Sequence, residues 1–582
     1  MKSLVFDIET DGLDATKIWC ISICDVETEL VSSFWGDNLK DGLDALKSAD
    51  KLIGHNILCF DIPVVEKLTG VYLSDKKIVD TLVLSRLFNP VREGNHGLEG
   101  WGFRLGFPKI EFDDYDNFSQ DMVTYCERDV LLNKKVYDAL SEERKGFSRE
   151  SIDLELNVAQ IVDAQRKKGF MLNMNYTADL LDFLEERLHI TVTEVHKEFQ
   201  PEEHTLILYP VKTFAGKLSK LAVAANGKRY RLNSDEYDAL TYHDQVARIT
   251  RTEFNLGSRK QIGSYLQKFG WKPKKFTPTG QPIVDEKTLK NIRNIPQAEL
   301  IADYLMYQKR IAQVKSWLEK VEPDSRVRCF VNHNGTITGR MTHQSPNLAQ
   351  VPSSNSPYGK DCRSCWCVPK GYKLVGIDAS GLELRMLAHY MNDPEFTDEI
   401  LHGDIHTANQ KAAGLESRSQ AKTFIYAFIY GAGDSKIGAV VGGNTKDGKR
   451  LKQHFLDNLP SLRTLKSRVT RAAAKGHIKG LDGRKIFIRS AHSALNALLQ
   501  GGGSIVMKKA LCLLDQYIKE QNLDAHFVAN IHDEWQIEAS EEDAETVGKL
   551  GVKAIRDAGI SFDMKCPLDG EYNIGDNWSE TH

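Results

Sequence analysis

Residues 374–385 read LVGIDASGLELR, an apolar run that ends at Asp378 and continues through a short turn into a predicted helix. Residues 527–539 read FVANIHDEWQIEA, in which His532, Asp533 and Glu534 interrupt a strand-like run as the tip of a hairpin does. Each segment predicts a carboxylate at the end of a strand. Paired carboxylates of this kind hold divalent metals for attack at phosphorus, so the two segments predict a phosphoryl-transfer site.

Residues 418–431 read RSQAKTFIYAFIYG and predict a helix between these two segments. Arg418, Lys422, Tyr426 and Tyr430 recur every four residues, which places them on one helix face. Two cations followed by two aromatic rings suit a triphosphate and a stacked base. A snorkelling basic pair beside core tyrosines is the alternative interpretation of this helix taken alone.

A second acidic set begins at the N-terminus, where residues 1–10 read MKSLVFDIET. Asp7 and Glu9 are two apart on a predicted strand and point to one face. Asp61 follows in GHNILCFDIPVV, and Tyr125 and Asp129 lie one helical turn apart in YCERDV. Four carboxylates could hold two Mg²⁺, one activating a water that Tyr125 positions and the other stabilising the leaving oxygen. Each piece alone is common on solvated surfaces, but the set predicts a second phosphoryl-transfer site.

The composition limits the class of protein. A chain of 582 residues, 41% hydrophobic and 27% charged, is expected to form several domains. No stretch is expected to approach the ~20 apolar residues of a membrane span, no signal peptide is expected, and ten scattered cysteines suit a reducing cytosol. Residues 1–140 hold 15 Lys and Arg against 25 Asp and Glu, so the remainder is mildly basic. This balance suits phosphate binding away from the metals, although two unrelated domains would also produce it.

The pattern along the chain indicates how the domains are organised. Residues 1–140 alternate strand-like and helical runs and predict a compact α/β domain. Two long helices are predicted after residue 150, the first ended by Gly169. The runs TLILYPVKTF and LAVAANGKRYRL then predict a strand-rich subdomain inserted at residues 204–252. Strands return from residue 325, before a helix-dense region that reaches about residue 480.

These motifs resemble those of two known families. DASGLELR, R-x-x-x-K-x-x-x-Y-x-x-x-YG and HDE resemble motifs A, B and C of the family A DNA polymerases, and the N-terminal set resembles the motifs of DnaQ-like 3′→5′ exonucleases. The runs NGTITGRMTHQSPNLAQVP, GDIHTANQ, LDGRK and ALNALLQ extend the resemblance, over effectively the whole chain, to the short replicative polymerases of podovirus-type phages.

The resemblance implies an α/β plus α+β fold, in which a ribonuclease-H-like exonuclease domain precedes a right-hand polymerase domain. The implied boundaries are residues 1–140 for the exonuclease domain, 141–325 for the thumb region with 204–252 inserted, 326–394 for the palm with motif A, 395–490 for the fingers with motif B, and 491–582 for the palm with motif C. It also implies a DNA-directed DNA polymerase with 3′→5′ proofreading, which extends a primer 3′-hydroxyl with dNTPs by two-metal phosphoryl transfer.

The roles that the resemblance implies fall into four groups. Metal ligands are Asp378, Asp533 and the Ala379 carbonyl at one site, and Asp7, Glu9, Asp61 and Asp129 at the other. Two Mg²⁺ are implied at each site, with Mn²⁺ as a substitute. The catalytic groups are these carboxylates with Lys422, which protonates pyrophosphate, and Tyr125. The dNTP ligands are Arg418, Lys422, His406, Tyr426 and Glu383, and the primer–template ligands are Tyr430, Gly431, Arg340, Gln500, Asn496 and His532.

Two of these residues carry specific expectations from the resemblance. Glu383, packed near Tyr426, is expected to block a ribose 2′-hydroxyl. Family members have Phe or Tyr at the Tyr426 position, and the Tyr form is associated with ready use of dideoxynucleotides.

Partners are implied in the same way. Primer–template DNA and dNTPs are expected, and no membrane. Residues 204–252 occupy the position at which a phage relative binds host thioredoxin as a processivity factor. That segment is interpreted as a site for thioredoxin or another processivity partner, as an extra DNA grip, or as a structural excursion. A phage helicase–primase is a further implied partner, and the implied location is the cytoplasm of an infected bacterial host.

Some alternatives remain open at this level. Cys362, Cys365 and Cys367 form C-x-x-C-x-C, but zinc would need a fourth ligand, for which only His343 is near in sequence, so ordinary strand cysteines are the preferred interpretation. A single-subunit RNA polymerase shares the Asp, Lys, Tyr and Asp pattern, but Glu383 and the exonuclease motifs argue against it. A non-catalytic DNA-binding protein and a mainly nucleolytic enzyme are the other two alternatives.

Overall fold

The computed structural model describes residues 2–582, with the side chain of residue 287 outside the description. The chain divides into two compact units. One unit contains the residues up to Met174 together with Lys320–His582, and the other contains Asn175–Glu319. The domain boundaries given above stay predictions, because this division does not separate the proposed exonuclease, palm and fingers from one another.

Residues 2–143 form a five-stranded mixed sheet with helices. The elements are β1 (Ser3–Thr10), β2 (Ile18–Asp25), β3 (Val31–Trp35), α1 (Leu39–Lys47), β4 (Lys51–Gly54), α2 (Asp61–Thr69), β5 (Lys77–Asp80), α3 (Thr81–Phe88), α4 (Leu98–Leu105) and α5 (Gln120–Glu143). The strand order is β3-β2-β1-β4-β5. β1 pairs antiparallel with β2 and parallel with β4, and its residues are buried on both faces, as expected of a central strand.

The second unit follows a helix and a short strand. α6 (Arg149–Lys168) ends at Gly169 as predicted, and the positive φ of 70° at this residue favours glycine. The next elements are β6 (Phe170–Leu172), α7 (Met174–Glu198), β7 (Glu202–Lys212), β8 (Leu218–Ala224), β9 (Arg229–Arg231), α8 (Ser234–Tyr242), β10 (Val246–Thr252), α9 (Arg259–Lys268), α10 (Glu286–Lys290) and α11 (Pro296–Leu318). The strand-rich character predicted for residues 204–252 is confirmed, since β7–β10 form one sheet in the order β10-β7-β8-β9.

The remaining chain returns to the first unit. It contains β11 (Arg326–Val327), β12 (Phe330–Asn332), β13 (Thr342–Gln344), α12 (Gly359–Ser364), β14 (Trp366–Cys367), β15 (Tyr372–Ala379), α13 (Leu382–Met391), α14 (Pro394–Leu401), α15 (Ile405–Ala413), α16 (Arg418–Ile429), α17 (Asp434–Val440), α18 (Thr445–Asn458), α19 (Pro460–Ala473), β16 (His477–Lys479), β17 (Lys485–Phe487), α20 (Ala494–Glu520), β18 (Ala525–Ile531), β19 (Glu534–Ser540), α21 (Ala544–Ser561) and β20 (Gly570–Gly575).

An antiparallel sheet of order β18-β19-β15-β20 carries the acidic segments of this part. β15 lies between β19 and β20, and the apolar residues of LVGI are buried on both faces. Asp378 is at the open end of β15, paired in register with Glu534 and Glu571. Asp378 and the β18–β19 turn therefore lie at the same end of the strands of this sheet.

One helix corrects an expectation from composition. In the described part of the chain, Ala491–Glu520 is the one helical stretch long and apolar enough to cross a membrane. The expectation that no stretch approaches a membrane span is therefore wrong by length and hydropathy. The most apolar window of this helix is 72% buried inside the protein, which is the environment of a core helix.

Candidate active sites

Three elements around the N-terminal sheet bring four carboxylates together. Asp7 and Glu9 lie on β1, Asp61 begins α2, and Asp129 lies on α5. The backbone N–H of Ile8 donates to Asp61 Oδ1 at 3.1 Å, which fixes the start of α2 against β1 between the two acids. The sequence pattern therefore identified side chains that the fold places side by side.

Burial raises the pKa of all four carboxylates, and the neighbouring acids add to this effect at Asp7 and Glu9. Burial, then the charges of Asp61 and Glu9, raise the pKa of Asp7 well above its usual range. Burial raises the pKa of Glu9 to about 9 and that of Asp61 to about 7. Burial likewise raises the pKa of Asp129. A cation placed among carboxylates that resist ionisation strongly stabilises their ionised forms.

A lysine that the motifs did not predict contacts this cluster. Lys109 Nζ lies 2.5 Å from Asp129 Oδ2 and 2.8 Å from the Tyr125 hydroxyl oxygen. The Phe112 and Tyr115 rings pack around Tyr125, with the Phe112 centroid 5.3 Å away. The Tyr125 hydroxyl accepts from Lys109 and also hydrogen-bonds Asp129, so the lysine, the tyrosine and the carboxylate form one connected group.

The N-terminal cluster fits a divalent cation. The ligand atoms of Asp7, Glu9 and Cys126 all lie within 4.8 Å of one another. Asp129 Oδ1 is buried and accepts no hydrogen bond, so it is free to become a ligand. The oxygen-rich set suits Mg²⁺ or Mn²⁺. The Cys126 thiol is a poor ligand for Mg²⁺, and burial raises its pKa well above the usual range.

The second acidic site lies at one end of the strands of the antiparallel sheet. Asp378 ends β15, and Asp533 lies in the two-residue turn between β18 and β19. The backbone N–H of Ala379 donates to the Asp533 carbonyl at 3.1 Å, so the tips of the two segments are in direct contact. His532 has a φ of 60°, a left-handed conformation that lets the chain reverse within two residues.

The pKa shifts of Asp378 and Asp533 agree with the contact between their segments. Burial, then the charge of Asp533, raise the pKa of Asp378 to about 7. Burial and the charge of Glu383 raise the pKa of Asp533. Glu534 differs, because it accepts hydrogen bonds from Trp578 Nε1 at 2.7 Å and from His582 Nδ1 at 2.9 Å. The first two carboxylates are therefore the pair left to bind a cation.

Glu383 links three predicted site residues. Its Oε1 atom accepts hydrogen bonds from the Tyr430 hydroxyl at 2.9 Å and from Arg340 Nη2 at 3.2 Å. Burial and the charge of Glu383 also raise the pKa of Tyr426, so this ring is close as well. Burial, then the positive charge of Arg340, lower the pKa of His532. The structure thus brings together the side chains predicted for sugar selection and for primer binding.

The predicted α16 face forms, with one adjustment. Arg418 and Lys422 are exposed, and the helix ends at Ile429, so Tyr430 caps it rather than continuing it. The Tyr426 and Tyr430 rings stack with centroids 6.4 Å apart. Tyr430 is 45% exposed, so the alternative of core tyrosines is wrong for this residue.

The other predicted ligands surround this face. The His406 ring centroid lies 6.3 Å from that of Tyr426. Gly431 has a φ of 71°, and a Cβ there would lie 2.7 Å from the His492 carbonyl oxygen, so no larger residue fits. Asn496 and Gln500 lie one turn apart on α20, both partly buried. Buried Asn496 Oδ1 has no hydrogen-bond partner.

Comparison with known proteins decides the family. A model of DNA polymerase family A matches residues 232–580. Across the full length of both chains, the protein is 34% identical to the DNA-directed DNA polymerase of Enterobacteria phage T3 and 33% identical to that of Escherichia phage T7. The chain belongs to family A of the DNA polymerases. It is a DNA-directed DNA polymerase, and the single-subunit RNA polymerase alternative is wrong.

A solved structure shows the same fold. The POL domain of Pol1 from M. smegmatis, in a complex with DNA primer-template and dNTP, matches with a TM-score of 0.78. The match covers 100% of this chain and 96% of that one, at 18% identity. At this identity the likeness concerns the fold alone. The roles of individual residues in this polymerase stay predictions.

The motifs missed two polar residues at these sites. Asp404 caps α15, accepting from the His406 N–H at 3.1 Å, and pairs with Arg418 Nε at 2.6 Å. The GDIH run contains a helix cap signal, but its partner on α16 is 14 residues away, beyond any local rule. Lys109 lies in an irregular segment, where spacing carries no information.

The cysteine segment differs from the prediction of strand cysteines. Only Cys367 lies on a strand, because Cys362 is in α12 and Cys365 caps that helix. His343 Nε2 is 2.9 Å from the Asn530 carbonyl oxygen instead. Over residues 2–582, the three cysteines do not form a group of three potential metal ligands with any His, Asp or Glu.

Proposed function

We propose that this polymerase extends a primer 3′-hydroxyl with dNTPs by two-metal phosphoryl transfer at Asp378 and Asp533, and proofreads at Asp7, Glu9, Asp61 and Asp129. The proposal is carried by one observation, two separate clusters of partly or fully buried carboxylates whose pKa values are raised by burial and by neighbouring carboxylates. Such clusters are unfavourable without a cation and suit divalent metals. The alternative of a non-catalytic DNA-binding protein has no use for them.

At the polymerase site, the residues of this chain bind and orient the substrates. Asp378, Asp533 and the Ala379 carbonyl would hold Mg²⁺, which would supply the positive charge needed to activate the 3′-hydroxyl and neutralise the phosphates. We assign the β- and γ-phosphates to Arg418, Lys422 and His406, since His406 on α15 lies close enough to Arg418 and Lys422 on α16 for their charges to add to burial in lowering its pKa. Lys422 is exposed and protonates the pyrophosphate that leaves.

The residues around Glu383 select the nucleotide. Glu383 is held by Tyr430 and Arg340 and lies beside Tyr426, so its carboxylate occupies the space that a ribose 2′-hydroxyl would need. Tyr430 and Gly431 form the slot for the templating base. The primer–template is bound by Arg340, Gln500, Asn496 and His532. Minor-groove acceptors are common to all Watson–Crick pairs, so such contacts test pairing rather than sequence.

At the N-terminal site, the proposed reaction is hydrolysis of the primer 3′-terminal phosphodiester. The order β3-β2-β1-β4-β5, with acids on the central strand, supports a ribonuclease-H-like exonuclease domain. Asp7, Glu9, Asp61 and Asp129 would hold Mg²⁺ or Mn²⁺, which would supply the charge that activates a water as the nucleophile. Tyr125 orients that water, and Lys109 holds both Tyr125 and Asp129 in place.

The biological setting follows from the relatives. The T3 and T7 proteins are phage DNA polymerases, so we assign this chain to phage genome replication in the cytoplasm of an infected bacterial host. Its partners are primer–template DNA, dNTPs and, by analogy, a phage helicase–primase.

A processivity partner, host thioredoxin or another protein, is proposed at residues 204–252. Support comes from the exposed side chains of the β7–β10 sheet, among them Tyr209, Leu221 and Ile249. The test is primer extension on a long single-stranded template with a trap that limits each enzyme to one binding event. Longer products only with thioredoxin support that partner, and unchanged lengths exclude it.

The two activities are tested together on a 5′-labelled primer–template. With Mg²⁺ and dNTPs the primer lengthens, and with Mg²⁺ alone it shortens from its 3′ end. A 3′-mismatched primer is trimmed before it is extended. Extension without any shortening would remove the exonuclease from the proposal, and shortening alone would make the enzyme mainly nucleolytic.

A further inference from the structure

Five titratable side chains are buried together away from both acidic sites. Glu155, His333, Asp482, Arg484 and Lys508 each expose at most 5% of the side chain. This set is called the buried cluster below. Glu155 is its centre, contacted by Lys508 Nζ at 2.6 Å, Arg484 Nη1 at 2.5 Å and His333 Nδ1 at 2.8 Å. Arg484 Nε also donates to Asp482 Oδ2 at 2.8 Å.

The charges of the buried cluster balance. Burial alone would raise the pKa of Glu155, but the charges of Lys508 and Arg484 outweigh it and hold that pKa well below its usual range. Burial lowers the pKa of His333, so its imidazole is neutral. Two carboxylates therefore face two cations. A buried set of this kind is often no more stabilising than apolar residues of the same volume, so it is better understood as fixing geometry.

The buried cluster joins distant parts of the chain at one point. Glu155 lies on α6, His333 follows β12, Asp482 and Arg484 form the turn between β16 and β17, and Lys508 lies on α20. One apolar pair could not fix all four elements in register, because dispersion contacts are weakly directional. Hydrogen-bonded ion pairs define both distance and angle.

The buried cluster also reaches the turn before Arg340. Gly339 has a φ of 74°, and a Cβ there would lie 3.5 Å from both Arg484 Nη1 and Ser504 Oγ. Ser504 Oγ donates to the Gly339 carbonyl at 2.7 Å. Arg340 follows directly and bonds Glu383. The turn that precedes Arg340 is therefore fixed by a hydrogen bond from Ser504 of α20.

The same face of α20 carries the predicted primer contacts. Asn496, Gln500, Ser504 and Lys508 recur every four residues, so they form one stripe along the helix. Lys508 anchors one end of the stripe in the buried cluster. Ser504 holds the Gly339 turn, and the other two residues continue the stripe toward the N-terminal end of α20.

We propose that the buried cluster is a positioning device that sets Arg340, Asn496 and Gln500 at the spacing needed to test the primer-terminal base pair. Its members are called positioning residues, because they are buried and would act only through Arg340, Asn496 and Gln500. The inference rests on the proposed role of Arg340 and goes beyond it by assigning a purpose to the buried charges.

The test compares extension from matched and mismatched primer ends in an Asp7→Ala, Glu9→Ala background, where excision cannot interfere. The ratio of the two rates does not depend on how much protein is folded, so simple destabilisation leaves it unchanged. Loss of one hydrogen bond in Ser504→Ala is expected to lower the ratio by about 3–10-fold. Lys508→Met is expected to lower it at least as far. If Lys508→Met is not obtained folded, Arg484→Lys replaces it, because it keeps the charge and loses the fork geometry.

Three matched variants separate the possible outcomes. Ser504→Thr keeps the hydroxyl and is expected to retain the ratio. Asp163→Asn removes another buried carboxylate of α6, paired with Arg166 at 2.8 Å, and is expected to leave the ratio unchanged. Arg340→Ala is expected to lower the ratio. An unchanged ratio in Arg340→Ala would refute the proposed role of that residue, and with it the basis of the inference.

If Arg340→Ala lowers the ratio but the cluster variants do not, the positioning inference alone is overturned. A fall in Ser504→Ala without one in Lys508→Met or Arg484→Lys would assign the effect to the Ser504 hydroxyl and also overturn the role of the buried cluster.

Discussion

At the scale of single residues, Tyr426 offers the most specific test of nucleotide binding. Its half-buried ring lies beside Glu383 and stacks with Tyr430. A hydroxyl here can replace a hydrogen bond that is lost with the sugar 3′-hydroxyl. We expect Tyr426→Phe to lower incorporation of dideoxynucleotides relative to deoxynucleotides by about tenfold, the value of one good hydrogen bond. Single-turnover incorporation of both substrates measures this ratio, and strong discrimination by the unmodified protein would contradict the account.

The raised pKa values predict how stability depends on pH and metal. Asp61 and Asp378 each have a folded pKa of about 7 against an ordinary value of 3.8. The folded state therefore binds more protons, so the stabilisation is fully present below pH 3.8 and is lost as the pH rises through 7. Without metal, the unfolding midpoint is expected to fall by several degrees from pH 6 to pH 8.

Mg²⁺ replaces the lost protons, so it should raise the unfolding midpoint more at pH 8 than at pH 6. Calorimetric scans with EDTA or Mg²⁺ measure both effects. Asp61→Asn is the matched control, since it removes one of the titrating groups and should flatten the metal-free pH dependence. Equal metal effects at both pH values would argue that the carboxylates are ionised without metal.

Residue patterns predicted the carboxylates but not their surroundings. Asp7, Glu9, Asp61 and Asp129 lie on regular elements whose periodicity fixes the face of each side chain. Neither Lys109 nor Asp404 could be predicted from a local pattern. Lys109 lies in an irregular segment and contacts Asp129 on α5, and Asp404 contacts Arg418 on another helix. Glu155 and Lys508 are 353 residues apart, so no local rule joins them.

At the scale of elements, the β7–β10 sheet is a removable part. Glu202 and Thr252 are paired in register across β7 and β10, so the chain enters and leaves the sheet at adjacent positions. We expect that replacing residues 203–251 by a short turn changes single-nucleotide addition by less than about threefold, because each domain core is closed by itself. The same variant should make shorter products when each enzyme binds DNA once.

Rapid-quench addition of one nucleotide and the trap assay measure these two effects. Loss of single-nucleotide addition would show that the sheet supports the catalytic core, and unchanged product lengths would make it a structural excursion. The strand-like runs predicted the sheet because alternation is local. The pairing of its two ends could not be predicted, because strand register depends on contacts between β7 and β10.

At the scale of the whole molecule, the family could be inferred from motifs because catalysis requires particular side chains in chain order. The antiparallel order β18-β19-β15-β20 combines segments about 150 residues apart, and spacing alone does not dictate it. The division into two compact units does not test the predicted domain boundaries, because the N-terminal five-stranded sheet and the sheet that contains β15 belong to one unit. Packing between distant segments decides such divisions.

The central claim is that one chain holds two separable phosphoryl-transfer sites. The most direct test measures primer extension and primer shortening for two variants, Asp533→Ala and the double variant Asp7→Ala, Glu9→Ala. Removing metal ligands is expected to cost several kcal/mol of transition-state stabilisation, about a 1,000-fold loss of the matching activity. Asp533→Ala should lose extension and keep shortening, and the double variant should do the reverse. Loss of both activities in either variant, or of neither, would contradict the account.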